Sequence, residues 1–251
     1  KDTAVRVTLT PRGDSWIVTA IGPIPAQGKI LYTGTRPVVR GLFAIDPAAS
    51  SPPVMLGEGR RYVWSPDYTR LAYEWQGVVY VASGDGSNLR ALGPGAAPAW
   101  SPDGKRLAIE RSSEQGSVIV LMSVDDGREQ ILVGGSQPAW APVQGAAAPR
   151  IAYTYTSGAG SALAVYVIDV TTGVTALLAS DGSQPLWSPD GGAIAFLTAN
   201  QELAVVTLAP GSVATLGPGW GYTWAGDGRR LAFLRGKPAG QPMVWDGERG
   251  Q

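Results

Sequence analysis

The sequence predicts an all-β fold, a β-propeller of six blades with four antiparallel strands each, forming one domain over residues 1–251. Three observations predict it. A tryptophan-centred turn motif recurs along the chain, a short apolar strand follows each copy, and no helix of convincing length interrupts the series.

The motif comes first. Val63-Trp64-Ser65-Pro66-Asp67, Ala99-Trp100-Ser101-Pro102-Asp103-Gly104, Ala139-Trp140-Ala141-Pro142 and Leu186-Trp187-Ser188-Pro189-Asp190-Gly191 share one pattern, and Thr223-Trp224-Ala225-Gly226-Asp227-Gly228 is a looser copy. The tryptophans step by 36, 40, 47 and 37 residues. Four strands in roughly 40 residues make one propeller blade. Proline pre-sets φ in the turn, glycine ends it, and the aspartate between them can bond the nearby backbone. Each tryptophan is expected to leave the inner strand for the gap between blades, where its large area is useful.

The second strands follow as Leu71-Ala72-Tyr73, Leu107-Ala108-Ile109, Ile151-Ala152-Tyr153, Ile194-Ala195-Phe196 and Leu231-Ala232-Phe233, with Ile30-Leu31-Tyr32 as a sixth. Third strands alternate, as in Val78-Val79-Tyr80-Val81, Val118-Ile119-Val120-Leu121 and Val165-Tyr166-Val167-Ile168. An Asp/Gly turn such as Gly84-Asp85-Gly86-Ser87 and a fourth strand such as Leu89-Arg90-Ala91-Leu92 close the unit. The last copy stops one strand short. Val5-Arg6-Val7-Thr8-Leu9, a spare alternating strand near residues 4–10, is expected to complete it and close the ring, leaving no unpaired edge. Ile17-Val18-Thr19-Ala20-Ile21 would then be the inner strand of the first blade.

Over residues 60–235 this Trp-Ser-Pro-Asp-Gly pattern, with its basic residue and apolar triplet, resembles the TolB-like, WD40-like (PD40) β-propeller repeat family. The third copy departs from it, with Ala141 for serine and an insertion over 143–149. The resemblance implies a bacterial, periplasmic or extracellular setting and binding at a channel mouth.

Composition narrows the function. Hydrophobic residues are 44% of the chain, enough for a substantial core, and Lys+Arg equals Asp+Glu at 20 each, so nothing draws it to nucleic acid or anionic lipid. There is no cysteine and no histidine, which removes thiol chemistry, the Ser-His-Asp triad and the commonest metal ligand. No catalytic residue, metal or cofactor is therefore assigned. No run of about 18 apolar residues is present, so no membrane insertion is expected. The chain opens on Lys1-Asp2 and reads as a mature or excised segment, with other domains of a longer chain as possible partners.

Other motifs carry little. Arg12-Gly13-Asp14 matches the integrin-binding tripeptide, but a chance occurrence in a polar inter-blade loop is the favoured reading. Val244-Trp245-Asp246 holds the Trp-Asp pair of WD40 repeats once, in the wrong phase. Glu74, Glu110 and Glu202 follow second strands and form the only acidic set expected near one mouth; solvated loop charges are the favoured account of them.

Two loop sets should share one rim: those entering the inner strands and those joining second to third strands. Variable loops bearing Trp, Tyr and Arg make binding surfaces. The binding set is Arg60, Arg61, Tyr62, Trp75, Arg111, Tyr155, Trp220, Tyr222 and Arg235, with Gln137 and Gln184 on the same rim. With Lys237 its arginines would make the rim somewhat basic, suiting an acidic peptide or carboxylate. The expected function is a non-catalytic scaffold for a protein or peptide. The alternatives are an accessory or gating propeller of a larger enzyme, such as a prolyl-oligopeptidase-type peptidase, and a carboxylate- or metal-dependent hydrolase in the channel.

Overall fold

A computed structural model describes residues 30–36, 39–45, 54–84, 86–142, 148–156, 162–209, 211–236 and 241–247. They form two compact units, residues 1–93 and 94–251. The expected closing strand near 4–10, the Ile17–Ile21 strand, Arg12-Gly13-Asp14 and Lys237 lie outside the described residues. Among those described there is no helix, so none is long and apolar enough to cross a membrane.

The first unit holds an antiparallel meander of β1 (Ile30–Arg36), β2 (Val39–Ile45) and β3 (Val54–Glu58). A second joins β4 (Arg60–Trp64), β5 (Arg70–Trp75), β6 (Val78–Ser83) and β7 (Arg90–Pro94).

The second unit holds four such sheets. The third sheet is β8 (Ala96–Trp100), β9 (Arg106–Ser113), β10 (Gly116–Ser123) and β11 (Glu129–Gly134). The fourth is β12 (Ser136–Trp140), β13 (Arg150–Thr156), β14 (Leu163–Asp169) and β15 (Thr175–Ala179). The fifth is β16 (Ser183–Trp187), β17 (Ala193–Leu197), β18 (Glu202–Thr207) and β19 (Val213–Pro218). The sixth has three described strands, β20 (Trp220–Trp224), β21 (Arg230–Arg235) and β22 (Gln241–Asp246).

The core of the second unit lies between successive sheets. Strand residues alternate faces, so Ile194, Phe196, Ala204 and Val206 pack on Ala152 and Val165 of the fourth sheet. Ala193, Ala195, Leu197, Leu203 and Val205 pack on Leu231 and Phe233 of the sixth. Both faces of the fifth sheet are thus covered, and all of β17 is buried and apolar without alternation. The tryptophans behave as expected here. Trp187 joins the fourth–fifth core and its Nε1 donates to Ala139 O at 3.1 Å; Trp224 Nε1 donates to Leu186 O at 3.1 Å. Arg106 and Arg150 lie over the rings of Trp140 and Trp187, at 5.3 and 5.1 Å.

The turn after each inner strand is a small hydrogen-bonded unit. Ser188 Oγ donates to Asp190 Oδ1 at 2.5 Å and accepts the Ala193 N–H, while Asp190 Oδ1 also accepts the Gly192 N–H. Ser65–Asp67 and Ser101–Asp103 repeat it. The Ser65 hydroxyl, and then the Thr69 N–H, hold the Asp67 carboxyl below the usual range. The Arg229 N–H and then the Arg230 guanidinium do the same for Asp227.

Outer strands β3, β11, β15 and β19 share an irregularity. Each has one extra residue against its neighbour, and in every case it is a leucine: Leu56, Leu132, Leu178 and Leu216. The bulge lets Leu132 pack beside Val133, and Leu178 beside Ala179, on the same core.

A pH profile follows from these groups. Carboxylates with lowered folded values stabilise the chain above their unfolded value and lose that contribution as pH falls through the folded one, so the melting temperature drops below about pH 4. Burial pushes Tyr153 up to about 12 and raises Tyr222, so their contribution is lost from about pH 10 upward. Without histidine the profile is flat between about pH 6 and 9, and a sloping thermal-melt series there would contradict this account.

Candidate functional site

One backbone device recurs where inner strands begin. Arg61, Ala97, Gln137 and Gln184 are left-handed, at φ 55°, 48°, 53° and 56°, and Gly221 fills the same place at 59°. At each, the pairing with the second strand slips, from Arg60/Val63 in the second sheet to Trp220/Thr223 in the sixth. Five residues before each tryptophan stands a glycine: Gly59, Gly95, Gly135, Gly182 and Gly219. It lies beneath the large fourth residue of the second strand, so that a Cβ built on Gly135 would sit 2.6 Å from Tyr153 Cδ2 and one on Gly182 2.6 Å from Phe196 Cδ2.

Antiparallel pairing fixes which rim residues meet within a sheet. In the second sheet Arg60 pairs with Glu74, which brings Arg60, Arg61 and Tyr62 to the end where Trp75 stands. Arg60 binds Glu74 Oε1 through Nε at 3.0 Å and Nη2 at 2.6 Å. Glu74 is 2% exposed, so it is a buried counter-ion, and its Oε2 has no partner among the described residues. Tyr62 OH donates to Gly59 O at 3.0 Å. A row of rings runs from Tyr62 to Tyr73 (5.4 Å), Tyr73 to Tyr80 (5.6 Å) and Tyr80 to Trp75 (5.8 Å). Arg61 is exposed and makes no hydrogen bond or ion pair with a described residue.

In the second unit the arginines are largely engaged. Arg111 binds Glu129 with two parallel bonds, 2.9 and 2.8 Å, and donates Nε to Pro94 O at 3.0 Å. Each partner reinforces the other's charged form: Glu129 raises Arg111, and Arg111 holds Glu129 down. Arg235 donates Nη2 to Leu216 O at 3.0 Å and lies 5.7 Å over Phe233. The basic surface expected from Arg60 and Arg111 is thus offset within the chain, by Glu74 on the adjacent strand β5 and by Glu129 on β11, two strands away in the same sheet. Glu110 is engaged too, by Ser117 Oγ at 3.1 Å and the Gln137 N–H at 3.2 Å.

A line of polar contacts joins the fourth, fifth and sixth sheets. Gln137 Oε1 accepts Thr154 Oγ1 and the Gln184 N–H, both at 2.9 Å, and Tyr222 OH donates to Gln184 O. Tyr155 follows Thr154 and is 39% exposed, edge-on to Tyr166. Trp220, 37% exposed, donates Nε1 to Gly236 O at 3.2 Å. Trp75, Arg111, Tyr155 and Arg235 share one place in the repeat, directly after the second strand's buried residues. Thr154 and the glycines were not foreseen; their signal is spacing from the tryptophan and the strand end. Among the described residues, no three His, Cys, Asp or Glu side chains gather as metal ligands.

Six antiparallel sheets among the described residues, five of them opening on the tryptophan strand and those of the second unit packed face to face, set the architecture. Comparison with solved structures decides its name. TolB from Acinetobacter baumannii is similar over 83% of this chain and 57% of its own, at 17% identity and TM-score 0.65. The fold is a β-propeller of the TolB-like kind. A TolB-type propeller from Agrobacterium tumefaciens covers 80% of this chain and 82% of its own, at 19% identity and TM-score 0.63. The same propeller architecture underlies an oligogalacturonate lyase from Vibrio parahaemolyticus, with 89% and 73% covered, 10% identity and TM-score 0.68. The propeller thus spans just over half the length of the first of these. No protein-family model matches the sequence, and no curated protein matches it.

Proposed function

We propose that this TolB-like propeller is a non-catalytic scaffold that engages a protein or peptide partner at the rim where first strands begin and second strands end. One observation carries the reading. At that end of its own sheets each unit presents large side chains that packing leaves accessible, Trp75 in the first and Tyr155 and Trp220 in the second, while Arg60 and Arg111 are paired with Glu74 and Glu129. Binding surfaces draw on such aromatic anchors. Arg61 and Tyr222 complete the set. An envelope or extracellular setting belongs to the same proposal, as do a single domain over 1–251, a count of six blades and closure by the N-terminal strand. Deleting residues 1–12 tests the closure: the melting temperature should fall sharply, and an unchanged value would remove that part.

Affinity capture from an envelope and secreted fraction tests the binding role. The wild type should retain a protein that the folded variant Arg61→Ala/Trp220→Ala/Tyr222→Ala does not. Retention that survives the variant would place binding elsewhere.

The lyase neighbour supports a second reading, a carboxylate- or metal-dependent enzyme on the same fold. Its metal-dependent form requires a metal-dependent rise in melting temperature. Identical melts in Ca²⁺, Mn²⁺ and EDTA would count against that form.

A further inference from the structure

We infer that the arc from Tyr155 through Gln137 and Gln184 to Trp220 receives an extended, proline-rich segment of the partner, its carbonyls on the glutamine amides and its rings on the two aromatic faces. This rests on the scaffold reading above and names its ligand class. The arc lies wholly within the second unit.

Donor accounting selects this ligand. The backbone N–H groups of Gln137 and Gln184 are spent on Glu110 and on Gln137 Oε1. Gln137 Oε1 is itself saturated by two donors. What remains is the Gln137 Nε2 group and the exposed side-chain amide of Gln184, neither with a partner among the described residues. Two amide nitrogens, of Gln137 and Gln184, stand against one open amide oxygen, that of Gln184, so donors are in excess. A polyproline II segment is the complement: its prolines carry carbonyl acceptors and no N–H, and its preformed helix loses little entropy on docking.

Charge and shape agree. Glu110 has both oxygens engaged and Arg111 is neutralised by Glu129, while Glu202 and Arg235, at the same end of the fifth and sixth sheets, are opposite in sign. Neither a strongly acidic nor a strongly basic ligand is favoured. The aromatic faces are preorganised, since Gly236 O fixes the Trp220 indole and Tyr166 backs Tyr155. Tyr222 ties Gln184 to the strand that carries Trp220.

The test is an anisotropy titration of the full chain with fluorescent, end-capped decaproline. Saturable binding is expected, little changed between low and high salt. Gln184→Ala and Tyr155→Ala should each weaken it about tenfold while the melting temperature holds. A capped Gly-Ser decapeptide, hexaglutamate and cellohexaose should bind less tightly. Absence of saturation, equal binding of the Gly-Ser peptide, or tighter binding of hexaglutamate or the oligosaccharide would overturn the inference. Excess decaproline should also displace the partner captured through the rim. A partner lost by the rim variant yet undisplaced by decaproline leaves the scaffold reading standing and refutes this one.

Discussion

Replacing Trp187 by alanine should cost about 3–5 kcal/mol, the usual range for emptying a buried aromatic site. For a chain of this size that lowers the melting temperature by roughly 6–20 °C. The indole is 5% exposed and sits in the core between the fourth and fifth sheets, against Ala152, Val165 and Phe196. Small neighbours such as Ala141 and Ala152 cannot swing into the void, so the cavity would persist. Trp187→Ala also leaves Ala139 O without its donor and uncovers the Arg150 guanidinium. Trp187→Phe keeps most of the ring area, loses the hydrogen bond and should cost about 1–2 kcal/mol. Differential scanning calorimetry separates the two. Equal losses would mean that the hydrogen bond, not packing, dominates.

Gly135→Ala is expected to be nearly as damaging despite adding one carbon. At φ 148° a side chain is strained, and the new Cβ would approach Tyr153 Cδ2 to 2.6 Å and Thr154 O to 2.9 Å. The tyrosine is 3% exposed and packed, so it has nowhere to move. Backbone strain of about 1–3 kcal/mol and overpacking of about 1–3 kcal/mol combine. Gly173→Ala is the control. It has φ +73° with nothing within 4 Å of the added carbon, so only the left-handed cost of about 1–2 kcal/mol remains. Comparable urea midpoints for the two variants would show that the Tyr153 contact yields easily.

Much of the fold was legible because it depends on local, repeated chemistry. Trp64 through Trp224 mark the inner strands, and triplets such as Leu107-Ala108-Ile109 mark the buried second strands. The Ser-Pro-Asp turns form bonds within five residues of sequence, so their spacing specifies them. The candidate site was less legible. Arg60 and Arg111 meet Glu74 and Glu129 across 14 and 18 residues, through strand register that a list of charges does not display. Gln137 reads as an ordinary loop residue until its left-handed backbone and the neighbouring sheet give its side-chain Oε1 two donors. The glycines before each inner strand were hidden among 34 in the chain; only their fixed distance from tryptophan distinguishes them.

The leucine bulges of the outer strands bear on what those strands could pair with. Ile131, Leu177 and Val213 are 68%, 54% and 61% exposed on β11, β15 and β19, which is how a sticky border would look. An incoming chain could zip onto such a border only through an unbroken series of free N–H and C=O groups. The extra residue at Leu132, Leu178 or Leu216 puts that series out of step partway along each strand. The same leucine that fills the core thus also breaks the regular edge that an added strand would need.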